Sequence, residues 1–508
     1  MGGYTMADPY DILKGIPAPT SGSYEPSWSS LRNYRVPSWF IDSKLGIFIH
    51  WGVYSVPAYG SEWYPRHMYM PGRPEYDFHT RNFGTPKDFG YKDFVPMFTA
   101  ENWDPDDWAE LFEKAGVRFV VPVAEHHDGY TLWDSRYTRW CASKIGPKRD
   151  IIGELKSAVE RRGLLFGVSY HRAEHWWFFE PGTRIDSDVN DPRYMDLYGP
   201  AKPASTDPRA PPGPDNVPPD DGFLKDWLLR IVEVVEKYRP ILVYFDWWIA
   251  NPAFEPYLKA FAAYYYNRAE SWGEEPVIIY KHGAFPDGTA IPDLAERGTI
   301  VKLRSTPWLA DTSVDYRSWG YIRDAEYKSP EDIVWHMVDV VSKNGVFLLN
   351  VGPRSDGTIP EEQRKVLAGI GGWLRVYGEA VYGTRTWKTY GEGTTRLAKG
   401  GFFTERRVKF VEGDVRYTVR DVYPAGSILY AIHPLASNGS RTITLRSLAK
   451  VLRLIDEDEE VVDVDMLGSK EKPSWSCEDE GVKIQVADQA VKGITVSRIV
   501  IRRSGDAM

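Results

Sequence analysis

FLKDWLLRIVEVVEKYRPILVYFDW, residues 223–247, contains both halves of a repeating unit. Phe223, Trp227, Ile231, Val234, Val235 and Tyr238 recur along one face at helical spacing, so 223–240 reads as an amphipathic helix that Pro240 stops. Directly after it, ILVYFDW is an apolar run ending in a carboxylate, as in a strand buried on both faces whose carboxyl end opens into a site. Five further runs have this form: LGIFIH (45–50), FVVPVAEHH (119–127), LLFGVSYH (164–171), VIIYKH (277–282) and FLLNVG (347–352). Between them lie amphipathic stretches such as WDPDDWAELFEKAG (103–116), with Asp104 as its cap, Pro105 in the first turn and Gly116 at its end. The alternation predicts an α/β fold with a parallel sheet. Polar residues gathered at strand carboxyl ends predict a (β/α)8-like TIM barrel.

Outward from this core, prolines at 200, 203, 208, 211, 212, 214, 218 and 219 exclude helix and central strand and mark an insertion within 181–220. It follows the third strand, so it reads either as a linker or as a lid over the barrel mouth. Beyond about 390, VRYTVR, SILYAIHPL, RTITLR, VKIQVA and ITVSRIVIR alternate apolar and polar residues between turn formers, as in an antiparallel β-sandwich. The expected division is a catalytic domain over 1–388 and a C-terminal sandwich over 389–508. The run DEDEEVVDVD (456–465) reads as a solvated acidic face.

A chain of 508 residues is long enough for both parts. Its net charge of -9 argues against nucleic-acid and anionic-membrane partners. Two cysteines, Cys141 and Cys477, are too few for a disulfide framework or a cysteine zinc cluster. The start, MGGYTMADPYDILKG, has no basic and apolar leader pattern, and a cytoplasmic location is expected. Glutamine occurs only at Gln363, Gln485 and Gln489, which suggests a thermophilic source. Twenty tryptophans and 72 aromatic residues in all ask for a use beyond core packing.

The sequence has no phosphate loop, dinucleotide fingerprint, GxSxG elbow or HExxH. What it offers is a ring of strand ends: His50 and Trp51, Glu62 and Trp63, His126 to Asp128, Tyr170 and His171, Asp246 to Trp248, His282, and Glu296 with Arg297. Carboxylates, imidazoles and indoles together suit a sugar, whose hydroxyls need polar partners and whose C–H faces stack on rings. Asp246, between Phe245 and two tryptophans, is the strongest catalytic candidate, with a buried structural carboxylate as the alternative. Adjacent residues on a strand point to opposite sides, so one of His126 and His127 is expected to be structural unless the strand has already ended.

SKLGIFIHWGVYSVPAYGSEWYPRHMY (43–69), EHHDGYTLWDS (125–135), VYFDWW (243–248), SWGY (318–321) and the long segment from KNGVFLLNVGPRSDG to GTRTW (343–387) resemble the α-L-fucosidases of glycoside hydrolase family 29. The resemblance spans about residues 30 to 390. It implies a (β/α)8-like domain with a C-terminal sandwich, and removal of terminal α-L-fucose with retention of configuration, without metal or other cofactor. It also implies a homo-oligomer whose partner is a glycan or glycoside bearing fucose. Position by position it makes Asp246 the nucleophile and His50, Glu62, Trp63, His126, His127 and Tyr170 the fucose-binding set, to which Trp308 and Arg304 are added. The lysosomal branch has a glutamate after the tryptophan before SWGY, where this chain has Leu309 after Trp308. The acid/base role therefore falls to Glu296, as in archaeal and bacterial relatives, with Glu62 as the second candidate. A retaining pair of carboxyl groups should stand about 5 to 5.5 Å apart. Two other readings remain open: a catalytically weak fucose-binding relative, and a metal-dependent barrel hydrolase built on His50, His126, His127, His171 and His282.

Overall fold

A computed structural model describes residues 9–13, 16, 22–397, 399, 405, 407–422, 426–435, 442–456, 458–486 and 493–503. Residues 1–8, on which much of the leader reading rests, and Gln489 lie outside the described residues. Eight parallel strands form the core: β1 Leu45–Ile49, β2 Phe119–Glu125, β3 Leu165–Tyr170, β4 Leu242–Phe245, β5 Val277–Tyr280, β6 Ile291–Pro292, β7 Trp308–Ser313 and β8 Gly345–Val351. Their order is β6-β5-β4-β3-β2-β1-β8-β7, and a parallel bridge between Asp293 and Leu309 joins the two outer strands, closing a barrel.

The six apolar runs became β1 to β5 and β8, each almost wholly buried. The intervening helices are α1 Pro105–Lys114, α2 Ile151–Arg161, α3 Asp221–Tyr238, α4 Glu255–Trp272, α5 Pro330–Ser342 and α6 Glu361–Tyr377. Asp104 caps α1 by accepting from the backbone N–H of Asp106 and Asp107. Two strands escaped the apolar pattern for physical reasons. β6 is two residues long and contains a proline, and β7 (WLADTS) places polar side chains in the barrel end where the site lies.

The C-terminal strands are β9 Gly391–Glu392, β10 Val415–Asp421, β11 Ser427–Leu435, β12 Thr442–Leu445, β13 Glu459–Met466, β14 Ser474–Glu478, β15 Gly481–Gln485 and β16 Gly493–Arg503. They form antiparallel sheets in the orders β13-β16-β11-β10-β9 and β12-β15-β14. Side chains of β11 alternate between two cores: Leu429 and Ala431 pack toward the smaller sheet, Tyr430 and Ile432 against the barrel. The acidic run lies on β13 opposite β16, where Asp465 pairs with Arg498 and Glu459 with Arg503. No described helix is long and apolar enough to cross a membrane.

One fully buried ion cluster ties the two parts together. Asp339 on α5 accepts from Arg416 Nε of β10 at 2.6 Å and from Lys343 Nζ at 2.6 Å. Removing one partner of such a cluster leaves an uncompensated charge. Asp339→Ala, which leaves the buried Arg416 and Lys343 without their shared anion, is expected to cost about 3–5 kcal/mol and lower the Tm clearly. A loss below about 1 kcal/mol would show that the cluster is incidental.

Candidate active site

A pocket of about 760 Å³ opens at the carboxyl ends of the strands, within the size range of small-molecule sites. Phe48 and His50 enter it from the end of β1, Glu62 and Trp63 from the loop beyond, and His126 and His127 from the turn after β2. His171, Asp246, Trp247, Lys281, His282 and Glu296 come from the segments after β3 to β6, Asp311 comes from β7, and Trp319 follows that strand. Thr206, Asp207 and Pro208 add part of the wall, so the proline-rich insertion reaches the mouth.

Lys281 organises the acidic side. Its Nζ lies 3.4 Å from Asp246 Oδ1, 2.9 Å from Glu296 Oε2, 3.2 Å from Asp311 Oδ2 and 3.8 Å from Asp293 Oδ2. Asp246 Oδ1 and Glu296 Oε2 therefore stand no more than about 6.3 Å apart, the limit set by their distances of 3.4 and 2.9 Å to one nitrogen. Tyr244 donates to Asp293 at 2.7 Å and to Asp311 at 3.1 Å beneath them. The backbone is unusual on both sides: His282 and Arg297, next to Lys281 and Glu296, have φ of 54° and 50°.

The environments separate the two carboxyl groups. Burial pushes Asp246 up, but His171, Lys281, His127 and His50 outweigh it and hold the carboxyl well below the usual range. Burial also pushes Glu296 up; Lys281 opposes this, Asp311 and Asp246 add to it, and the balance is about 7. One group is thus an anion and the other a proton carrier near neutrality. Asp293 is raised well above its ordinary value by burial and by Asp311.

The imidazoles also divide. Burial pulls His127 down, but Glu174, whose Oε2 lies 3.3 Å from Nδ1, and Asp246 overcome it and raise the ring to about 9. Burial lowers His50 to about 3 and takes His126 and His171 well below 6.5. Asn350 donates its amide to Ser313 Oγ and Trp319 O, so its Oδ1 accepts from His50 Nδ1 at 2.7 Å. Glu62 Oε2 accepts from Trp319 N at 2.9 Å and Ser318 Oγ at 3.1 Å, which ties it to the SWGY segment.

Several expectations need correction. β2 ends at Glu125, so His126 and His127 both face the pocket, their ring centroids 4.0 Å apart. Tyr170 does not: its hydroxyl donates to Trp227 O at 3.0 Å and its ring packs between barrel and α3, while His171 takes the pocket face. Trp308 begins β7, far from the strand's carboxyl end, and donates to Lys343 O at 3.0 Å. Arg304 lines an adjoining groove that shares Lys281, His282 and Glu296 with the pocket. Trp51 lies against Phe98, Trp103 and Trp108, and Trp248 is fully buried, leaving Trp63 and Trp247 as pocket walls. Lys281, Asp311, Phe48 and Trp319 were missed, although VIIYKH and SWGY contain two of them. Tyr170→Phe is expected to keep kcat/KM for an aryl α-L-fucoside within about threefold of wild type, since it removes only a distant hydrogen bond of about 1 kcal/mol. His171→Phe should lower it by at least about tenfold, and the reverse ranking would restore Tyr170 to the pocket.

Comparison with known proteins gives a consistent answer. The profile of the family described as Alpha-L-fucosidase matches residues 13–379. The tissue α-L-fucosidase of Bos taurus is 32% identical over 453 residues, covering 85% of this chain and 84% of its own. The plasma α-L-fucosidase of Homo sapiens is 30% identical over 465 residues, covering 89% and 90%. Among solved structures, the α-fucosidase of Thermotoga maritima in complex with fucose superposes with a TM-score of 0.70 at 29% identity, covering 94% of this chain and all of that one. The chain belongs to the α-L-fucosidase family, and its chemistry is glycoside hydrolysis.

Proposed function

We propose that Asp246 and Glu296 are the nucleophile and the general acid/base of a retaining exo-α-L-fucosidase. The observation that carries this reading is the single ammonium, Lys281 Nζ, within 3.4 Å of one carboxyl and 2.9 Å of the other. In the first step an oxygen of Asp246 attacks the anomeric carbon while Glu296 gives its proton to the departing glycosidic oxygen. The glycosyl-enzyme ester then reacts with water, whose proton returns to Glu296, and Asp246 is released. Glu62, bonded to the SWGY segment, serves as a sugar-binding carboxylate instead of the acid.

His50, His126 and His127 meet the ring hydroxyls in this reading. His50 offers Nε2 as acceptor because Nδ1 donates to Asn350. His127, held cationic beside Asp246, donates. Phe48, Trp63, Trp247 and Trp319 enclose the apolar faces and the C5 methyl, a contact that discriminates by about 1 to 3 kcal/mol. The substrate is a fucosylated glycan or glycoside whose remainder extends past Thr206 to Pro208.

The reading extends to the whole protein. A boundary near 388/389 agrees with the change from barrel helices to antiparallel strands. A cytoplasmic location is supported by two free thiols, Cys141 and Cys477, and a thermophilic source by the three glutamines. Homo-oligomerisation has support in the exposed apolar Val451 and Leu452, 80% and 52% accessible, and sedimentation tests it.

The roles separate by stereochemistry. With an activated fucoside, Asp246→Gly should lose turnover by orders of magnitude and recover with azide as the inverted β-fucosyl azide. Glu296→Ala with azide should give the retained α-fucosyl azide. Wild-type turnover in Asp246→Gly, or β-azide from Glu296→Ala, would overturn the assignment.

A further inference from the structure

The floor of the pocket carries more imidazole than hydroxyl recognition requires. His50, His126 and His171 are all buried, with ring centroids 5.6, 5.3 and 5.2 Å apart. One nitrogen of each lies within 4.8 Å of the other two. Three nitrogens around a tetrahedral zinc, at about 2.0–2.1 Å from the ion, stand a little over 3 Å apart, so small ring tilts into the open pocket close the set.

The supporting atoms suit ligation. Asn350 Oδ1 occupies His50 Nδ1 at 2.7 Å, and Ser169 Oγ lies 2.6 Å from His171 Nε2, so two of the three rings have an outer partner fixing their orientation. His126 Nδ1 and His171 Nδ1 are buried without a hydrogen-bond partner among the described residues. Asp246 Oδ2, 3.4 Å from His171 Nδ1, supplies negative charge beside the set. The nearby cations have partners of their own, His127 beside Glu174 and Lys281 beside Asp311.

We propose that His50, His126 and His171 form a binding site for a borderline divalent ion of the zinc class, and that the ion excludes the sugar. Three nitrogen donors with one open position favour Zn²⁺, Co²⁺ or Cu²⁺ over the oxygen-seeking Mg²⁺ and Ca²⁺. The ion is an inhibitor, not part of the reaction: it withdraws the nitrogens that meet the hydroxyls. The exclusion rests on the reading of these rings as sugar ligands, whereas ion binding itself does not.

Two readouts separate those parts. Chelator-stripped enzyme titrated with Co²⁺ should develop the visible absorption of a tetrahedral nitrogen site, and free fucose should suppress it. Zn²⁺ should raise KM for an aryl α-L-fucoside with kcat unchanged, reversibly on chelation. Ser169→Ala, which keeps all three rings, should weaken Co²⁺ binding by about tenfold, and His171→Phe by more. Cys477→Ser should bind Co²⁺ and respond to Zn²⁺ as wild type does, because that exposed thiol is the alternative soft ligand. Absence of the Co²⁺ spectrum, or Zn²⁺ inhibition that survives His171→Phe or vanishes in Cys477→Ser, would overturn the site. A Co²⁺ spectrum that fucose does not suppress would overturn the exclusion while leaving the ion site standing.

Discussion

One buried ammonium faces four carboxyl groups, and much of the active site follows from that imbalance. Lys281 cannot satisfy Asp246, Asp293, Glu296 and Asp311 as four anions in a desolvated space. Protons must be retained, and the positions decide where. Asp246 also has His171 and His127 within 3.4 and 3.8 Å, so it ionises. Glu296 and Asp293, each next to further carboxylates, hold protons instead. A nucleophile and an acid thus arise from the same chemical group.

The same cluster positions the least regular part of the barrel. β6 is too short to hold its place by ladder hydrogen bonds alone, and Asp293 just beyond it is fixed by Tyr244 of β4 and by its bridge to Leu309 of β7. Arg297 N donates to Asp311 O at 2.8 Å, and its guanidinium lies 4.7 Å from the centre of the Trp319 ring, a pocket wall. From outside the barrel, Glu405 meets Thr312 and Lys328 on the flank of this segment. The segment carrying Glu296 is therefore braced from below, from the pocket and from the connection toward the sandwich.

The fold was legible where burial is two-sided, because continuous apolar runs and amphipathic helices leave plain periodicities. It was illegible at β6 and β7, where function replaces apolar residues with Pro292, Asp311 and Ser313. Site residues were found where the chain writes a polar group at the end of an apolar run, as at His50 and Asp246. Errors came from treating neighbours in sequence as neighbours in space: Trp51, Tyr170 and Trp248 sit beside true pocket residues but pack against other buried aromatic rings. Lys281 stood in VIIYKH, one place before His282, and strand alternation from Ile279 inward could have singled it out. Its importance depends on Asp293 and Asp311 arriving from strands that the pattern did not reveal.

The central claim is that Lys281 sets the protonation of both catalytic groups. It favours the ionised form of each, so its loss should raise both titrations. The pH dependence of kcat/KM, compared between the wild type and Lys281→Gln, reads this directly. The wild type should lose activity as pH rises through about 7, where Glu296 gives up its proton, and stay active well into acid, where Asp246 remains ionised. In Lys281→Gln both limbs should move to higher pH. Limbs that stay where they are in the wild type would contradict the account.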